Sequence, residues 1–184
     1  YGLVHDYRKT IQATVALIPE AFLSRLLADS KEQRCMRLFF MRGGVADTPL
    51  LSDVDIEILV DWCSSSDDPK VWAYVPHGLE IWSSSTETKN TTLREKAIKF
   101  LEAAPEPSVV LESFAELASP TSWSGSLANI LQSRADALCE LIEHERNNIS
   151  NAAKKIHERL IFMIERESNH EQWKDREGEQ RFES

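Results

Sequence analysis

Glycine is scarce in this chain, 6 in 184 residues, and proline is held to 7. So few breakers leave room for long helices. The 3 cysteines (Cys35, Cys63 and Cys139) are odd in number and show no CxxC or metal-type spacing. That pattern speaks against a disulfide framework and a thiolate metal site. Each cysteine sits in an apolar helical pattern and reads as a small buried residue of a reducing, cytoplasmic compartment. No apolar run approaches ~20 residues, so no segment qualifies as a membrane-spanning helix. No secretory signal pattern is visible. Cationic residues are outnumbered: 21 Lys and Arg against 30 Asp and Glu give a net charge of −9. That balance argues against broad binding to nucleic acid or an anionic membrane. An initiator Met is also missing, and the start at Tyr1-Gly2-Leu3 leads us to expect a fragment of something larger or a processed product.

The usual catalytic signatures are absent as well. The sequence has no GxxxxGK[ST] phosphate loop and no GxGxxG, and Trp123-Ser124-Gly125 does not complete a GxSxG elbow. Three His-Glu pairs occur, at His144, His157 and His170. A zinc-protease helix needs a second His four residues after the first, and those positions hold Asn148, Ile161 and Lys174. Arg166 and His170 lie one helical turn apart, as such pairs do in helical ribonucleases, but their acidic, polar surroundings read as exposed surface. Paired carboxylates at Asp53/Asp55 and Asp67/Asp68 are accounted for by helix-cap chemistry. The expectation is a chain that is not an enzyme and has no cofactor and no metal.

What is present is a repeat. Asp68-Pro69-Lys70-Val71-Trp72, Glu106-Pro107-Ser108-Val109-Val110 and Asn147-Asn148-Ile149-Ser150-Asn151 each follow one helix-like segment and open another. Val71, Val109 and Ile149 are 38 and 40 residues apart. A period near forty marks helical hairpins that bury their apolar faces against each other.

Apolar residues at helical spacing fill in the rest. Leu3, Tyr7, Ile11, Val15 and Ile18 make a first stripe, and Pro19 opens a second with Phe22, Leu23, Leu26 and Leu27. Residues 31–42 form a third helix stopped by Gly43-Gly44. Ser52 is the expected N-cap of a helix carrying Ile56, Leu59, Val60 and Cys63. Val71, Val75, Leu79 and Trp82 share one helical face, with a Val71–Val75 strand as the alternative. Residues 83–91 are polar and read as a loop. Leu93 to Ala104 and Val110 to Leu117 make the next pair. Pro120 to Ser126 is a connection with Trp123 inside it, expected to plug a seam. The cleanest stripe is Ile149, Ala152, Ala153, Ile156, Leu160, Met163 and Ile164. The domain reading is a single helical domain over 1–170, with 1–50 as a capping hairpin and 171–184 as a charged, solvated extension.

Charge is uneven along this frame. Residues 1–42 carry seven cations against four anions, whereas residues 43–91 carry two against nine. The acidic stretch reads first as a solvated face and second as a docking site for a basic partner. Trp62, Trp72 and Trp82 recur every ten residues and read first as packing, second as a recognition groove. The partner-binding candidates are Asp61, Asp67, Asp68, Trp72 and Trp123.

On Asp68-Pro69-Lys70-Val71 and Glu106-Pro107-Ser108-Val109, over roughly residues 51–166, the chain resembles HEAT-type helical repeat proteins. The third copy departs from the pattern, with Asn147-Asn148 in place of the acidic-Pro step. The resemblance implies an all-α fold, a right-handed stack of about three to four antiparallel hairpins, and a scaffold or binding surface for another protein or another domain of the same chain. The run Pro120 to Ala128 and the end Gln180-Arg181-Phe182-Glu183 also resemble the C-terminal parts of large bacterial multidomain proteins, some of them defence-linked NTPases. That likeness implies a regulatory or sensor segment as the alternative. A third reading is nucleic-acid binding by Arg8, Lys9, Arg25, Lys31, Arg34, Arg37 and Arg42, which the overall charge opposes.

Overall fold

The computed structural model describes residues 10, 11, 13–26, 49–84 and 91–182. The expected helix at 31–42 with its Gly43-Gly44 stop, the Leu3 and Tyr7 positions, Cys35, the N-terminal cations other than Arg25, and residues 85–90 of the polar segment lie outside them. The protein is mostly helical, at 71%, with eight helices among the described residues. Backbone contacts divide it into two units, Tyr1–Ile81 with Arg94–Ser113, and Trp82–Leu93 with Phe114–Ser184.

In the first unit α1 (Pro19–Leu26) begins at Pro19, where the missing N–H costs nothing. Val15 and Leu23 are fully buried. Helix α1 packs on α2 (Ile56–Ser65), and α2 packs on α4 (Glu95–Ala103). Between α2 and α4 the chain makes one helical turn, α3 (Val71–Tyr74), and tightens into a 3-10 turn over Val75–Gly78. Helix α5 (Pro107–Glu116) follows, and the division between the units falls inside it. Leu59, Cys63, Val71, Trp72, Phe100, Leu101, Val110 and Leu111 are buried. Each such aliphatic or aromatic side chain removed from water stabilises by about 1.5–3 kcal/mol. Trp72 and Phe100 sit with ring centroids 5.0 Å apart.

The three restarts found in the sequence share one backbone feature. Val71 N–H donates to Asp68 O (3.2 Å), Val109 N–H to Glu106 O (3.1 Å) and Ile149 N–H to Arg146 O (3.0 Å). Each bond spans three residues and closes the first turn of a new helix. Val71 and Ile149 are buried, and at the second restart Val109 is half-buried beside the buried Val110.

Two local expectations are corrected in this unit. The helix through Asp55 starts at Ile56, and Ser52 is not its cap. Residues 50–54 form a turn that buries Leu50, Leu51 and Val54, with Leu51 N–H on Gly78 O at 2.8 Å. Its carbonyls are gathered by Lys96 from α4, whose ammonium donates to Leu51 O (3.2 Å), Ser52 O (2.7 Å) and Val54 O. The helical face expected through Leu79 and Trp82 stops at Gly78. Pro76 offers no N–H to a longer helix, and the chain turns extended at Leu79.

The second unit opens with a two-stranded antiparallel pair, β1 (Trp82–Ser84) and β2 (Thr91–Leu93), in the register Trp82–Leu93, Ser83–Thr92, Ser84–Thr91. The ends of the segment read as a loop are therefore paired strands. Helices α6 (Leu127–Ala137), α7 (Cys139–Ile142) and α8 (Asn147–Phe182) complete the unit. Gly125, at φ +82°, takes the left-handed conformation that lets the chain enter α6. Ser126 caps that helix by accepting from Asn129 N–H at 3.0 Å. Helix α8 runs 36 residues, about 54 Å at 1.5 Å per residue. It packs on α6 and α7 and buries Ile149, Ala153, Ile156 and Leu160.

Two polar nodes hold this unit. Arg134 donates to Leu117 O (3.1 Å) and Ala118 O (2.7 Å), carbonyls that follow α5, while its guanidinium lies 5.6 Å from the Trp82 ring centroid. The second node joins Glu171 of α8 to the Ser126 turn. Ser126 Oγ donates to Glu171 Oε2 at 2.7 Å, and Leu127 and Ala128 N–H donate to Oε1 at 2.7 and 3.2 Å.

Candidate partner-binding surface

Four of the five residues singled out in the sequence, Asp61, Asp67, Asp68 and Trp72, lie at or beside one turn. Helix α2 ends at Ser65, and Ser66 to Lys70 carry the chain into α3. Local polar bonds fix this turn. Ser66 Oγ accepts from Asp68 N–H at 3.3 Å, and Asp68 Oδ1 accepts from Lys70 N–H at 3.0 Å. Asp67 and Asp68 are exposed, and Asp61 is exposed one and a half turns back on α2.

A cleft lies on each side of this turn. One, of about 440 Å³, is lined by Ser24, Trp62, Ser65, Ser66, Asp67, Asp68 and Val71. Trp62 forms its half-buried wall, with the indole N–H held on Ser24 Oγ at 3.0 Å. The other, of about 470 Å³, is lined by Pro69, Lys70, Trp72, Ala73, Pro105, Glu106 and Val109. The two acidic-Pro steps, 38 residues apart in the chain, thus border one groove. Apolar side chains form most of that groove, with Lys70 and Glu106 as its charged members. Both volumes lie in the range of about 300–1,000 Å³ typical of ligand sites.

The acidic stretch divides into two parts. Burial holds the Lys96 ammonium below its usual range, against the opposing charges of Asp53, Asp55 and Glu57. Among the described residues no cation is paired with Asp61, Asp67 or Asp68. Carboxylates left open beside an aromatic wall can receive a guanidinium or ammonium by ion pairing and by stacking on the indole.

Asp67 and Asp68 thus share one cleft, and Trp72 lies in the neighbouring groove, buried to 6% exposure. Trp72 contributes its edge to that groove and most of its surface to the core. Trp123 belongs to the second unit and is 51% exposed, so among the described residues it plugs no seam. The cysteines also divide. Cys63 is buried, and burial pushes its thiol up to about 12, whereas Cys139 is exposed with Sγ 3.8 Å from His157 Nε2. Sequence reasoning missed Ser24, Pro105 and Glu106 as lining residues. The repetition of the acidic-Pro step was the signal that could have found the last two.

No group of three or more His, Cys, Asp or Glu side chains is placed to hold a metal among the described residues. No described helix is long and apolar enough to cross a membrane. Comparison with protein-family models, curated proteins and solved structures finds no match to this chain.

Proposed function

We propose that this chain is a non-enzymatic, HEAT-like helical-repeat module, a right-handed stack of hairpins that binds another protein or a neighbouring domain. It works in a reducing, cytoplasmic setting, which suits its free thiols at Cys63 and Cys139. The binding surface is the turn Asp67–Lys70 with the cleft on either side. One observation carries the reading: three carboxylates that no cation among the described residues pairs with stand beside a Trp-walled cleft, next to an apolar groove. That combination fits a partner segment with basic side chains next to apolar ones. The shared restart bond at Val71, Val109 and Ile149 supports the repeat.

The test is fluorescence anisotropy of a labelled Arg/Lys-rich peptide with interspersed Leu. The variant Asp61→Lys/Asp67→Lys changes two exposed side chains that make no bond among the described residues. Binding should weaken by about tenfold or more and should weaken further with salt. Equal affinity of wild type and variant would sink the proposed surface.

A further inference from the structure

Helix α8 has a second face. Ile149, Ala153, Ile156 and Leu160 are buried on one side. At 100° per residue the opposite side carries Lys155, Phe162, Arg166, Trp173 and Arg176, all exposed. Phe162 and Trp173 are 66% and 55% exposed, and eleven residues bring them back to the same line within about 20°. Single exposed apolar side chains are ordinary. Two large aromatics aligned on a helix and interleaved with cations form a patch suited to docking. Three carboxylates, Glu158, Glu165 and Glu177, share this side with four cations, Lys155, Arg159, Arg166 and Arg176, and leave a cationic excess of one. Among the described residues no carboxylate is paired with Lys155, Arg166 or Arg176.

The same chain carries the complement. Asp61, Asp67 and Asp68 are exposed around a cleft of about 440 Å³ with an indole wall. We infer that the cationic-aromatic stripe of α8 docks into the acidic Asp67–Asp68 cleft of a second copy of this chain. The inference rests on the proposed reading of that cleft and names its partner. Arg166 faces the Asp67 and Asp68 carboxylates, and an aromatic of the stripe enters beside Trp62. The contact joins two different surfaces, so each copy offers one donor face and one acceptor face. Charge complementarity argues for a second copy: the cleft is acidic, and α8 of the same chain carries the exposed cations Lys155, Arg166 and Arg176 interleaved with the exposed rings of Phe162 and Trp173.

The experiment is sedimentation velocity on the full chain in three forms. Wild type should self-associate at low salt and do so about tenfold or more weakly at high salt. Arg166→Glu/Trp173→Ala removes the stripe and Asp61→Lys/Asp67→Lys removes the cleft; both change exposed positions, and circular dichroism should confirm unchanged helix content. Each variant alone should be monomeric, and the two mixed should form a 1:1 complex, because one retains an intact cleft and the other an intact stripe. A wild type that stays monomeric to about 1 mM would overturn the inference. So would a mixture that fails to associate, or a cleft variant that still self-associates. A monomeric wild type that binds the basic peptide would overturn self-docking and leave the proposed surface standing. A monomeric wild type that shifts a single-stranded oligonucleotide through Arg166 and Trp173 would reassign the stripe.

Discussion

Ser126 and Glu171, 45 residues apart, are joined by a hydrogen bond of 2.7 Å from the serine hydroxyl to the glutamate carboxylate. The same carboxylate accepts the N–H groups of Leu127 and Ala128. A side chain far along α8 therefore completes the N-terminus of α6, where a negative charge meets the positive end of the helix dipole. Residues 171–182 are helical, and the Glu171 side chain ties that stretch to the Ser126 turn.

That link should respond to acid. The hydrogen bond from Ser126, first, and those from Ala128 and Leu127 hold the Glu171 carboxyl below the usual carboxylate range, against a smaller opposing effect of burial. A depressed folded value means the stabilisation is full above the ordinary glutamate pKa of about 4.3 and is lost as pH falls through the folded value. Amide hydrogen-exchange protection in residues 165–180, taken relative to the intrinsic rate at each pH, should fall in that window. Glu171→Gln should already exchange fast at neutral pH and lose the acid step. An unchanged pH profile in the variant would contradict the role.

Lys96 should matter for stability more than its partly exposed position suggests. Lys96→Met leaves the carbonyls of Leu51, Ser52 and Val54 without their shared donor. The expected loss is about 1–3 kcal/mol in urea unfolding. A loss under about 0.5 kcal/mol would show that water replaces the ammonium freely.

The two tryptophans named as binding candidates should separate cleanly. Trp72→Ala removes a buried ring packed on Phe100 and should cost about 3–5 kcal/mol. Trp123→Ala should stay within about 0.5 kcal/mol. Denaturant midpoints for the pair decide this, and equal losses would mean that Trp123 is packed in solution.

Thiol reactivity should distinguish the cysteines. With Cys35 replaced by Ser, a disulfide reagent at pH 8 should find one fast thiol, Cys139, and Cys63 should react only on unfolding, since burial raises it to about 12. Loss of the fast phase in Cys139→Ser confirms the assignment, and a fast Cys63 would contradict its burial.

What could be read beforehand was local. The spacing of Val71, Val109 and Ile149 found three helix starts because each depends on its own few residues. The exposed acids Asp61, Asp67 and Asp68 were legible for the same reason, as members of a stretch, residues 43–91, with nine anions against two cations. The β1–β2 pair was not, since Trp82 continues a helical face in sequence and its strand partner Leu93 lies across a polar segment. Glu171 was hidden by its charge. It is 18 residues, five whole turns, from buried Ala153 and so points toward the packed side of α8. A lone carboxylate in a mixed-charge tail reads as solvated until the Ser126 turn is placed beneath it.

The restart bonds also set an order of assembly. Val71, Val109 and Ile149 each close a loop of three residues, the shortest search a chain can make, whereas Glu171 must find a turn 45 residues away. Helix beginnings should therefore form early and the α8 attachment late. Stopped-flow measurements should find that Glu171→Ala speeds unfolding and leaves the folding rate nearly untouched, making the far end of α8 the last part of the second unit to arrive and the first to let go.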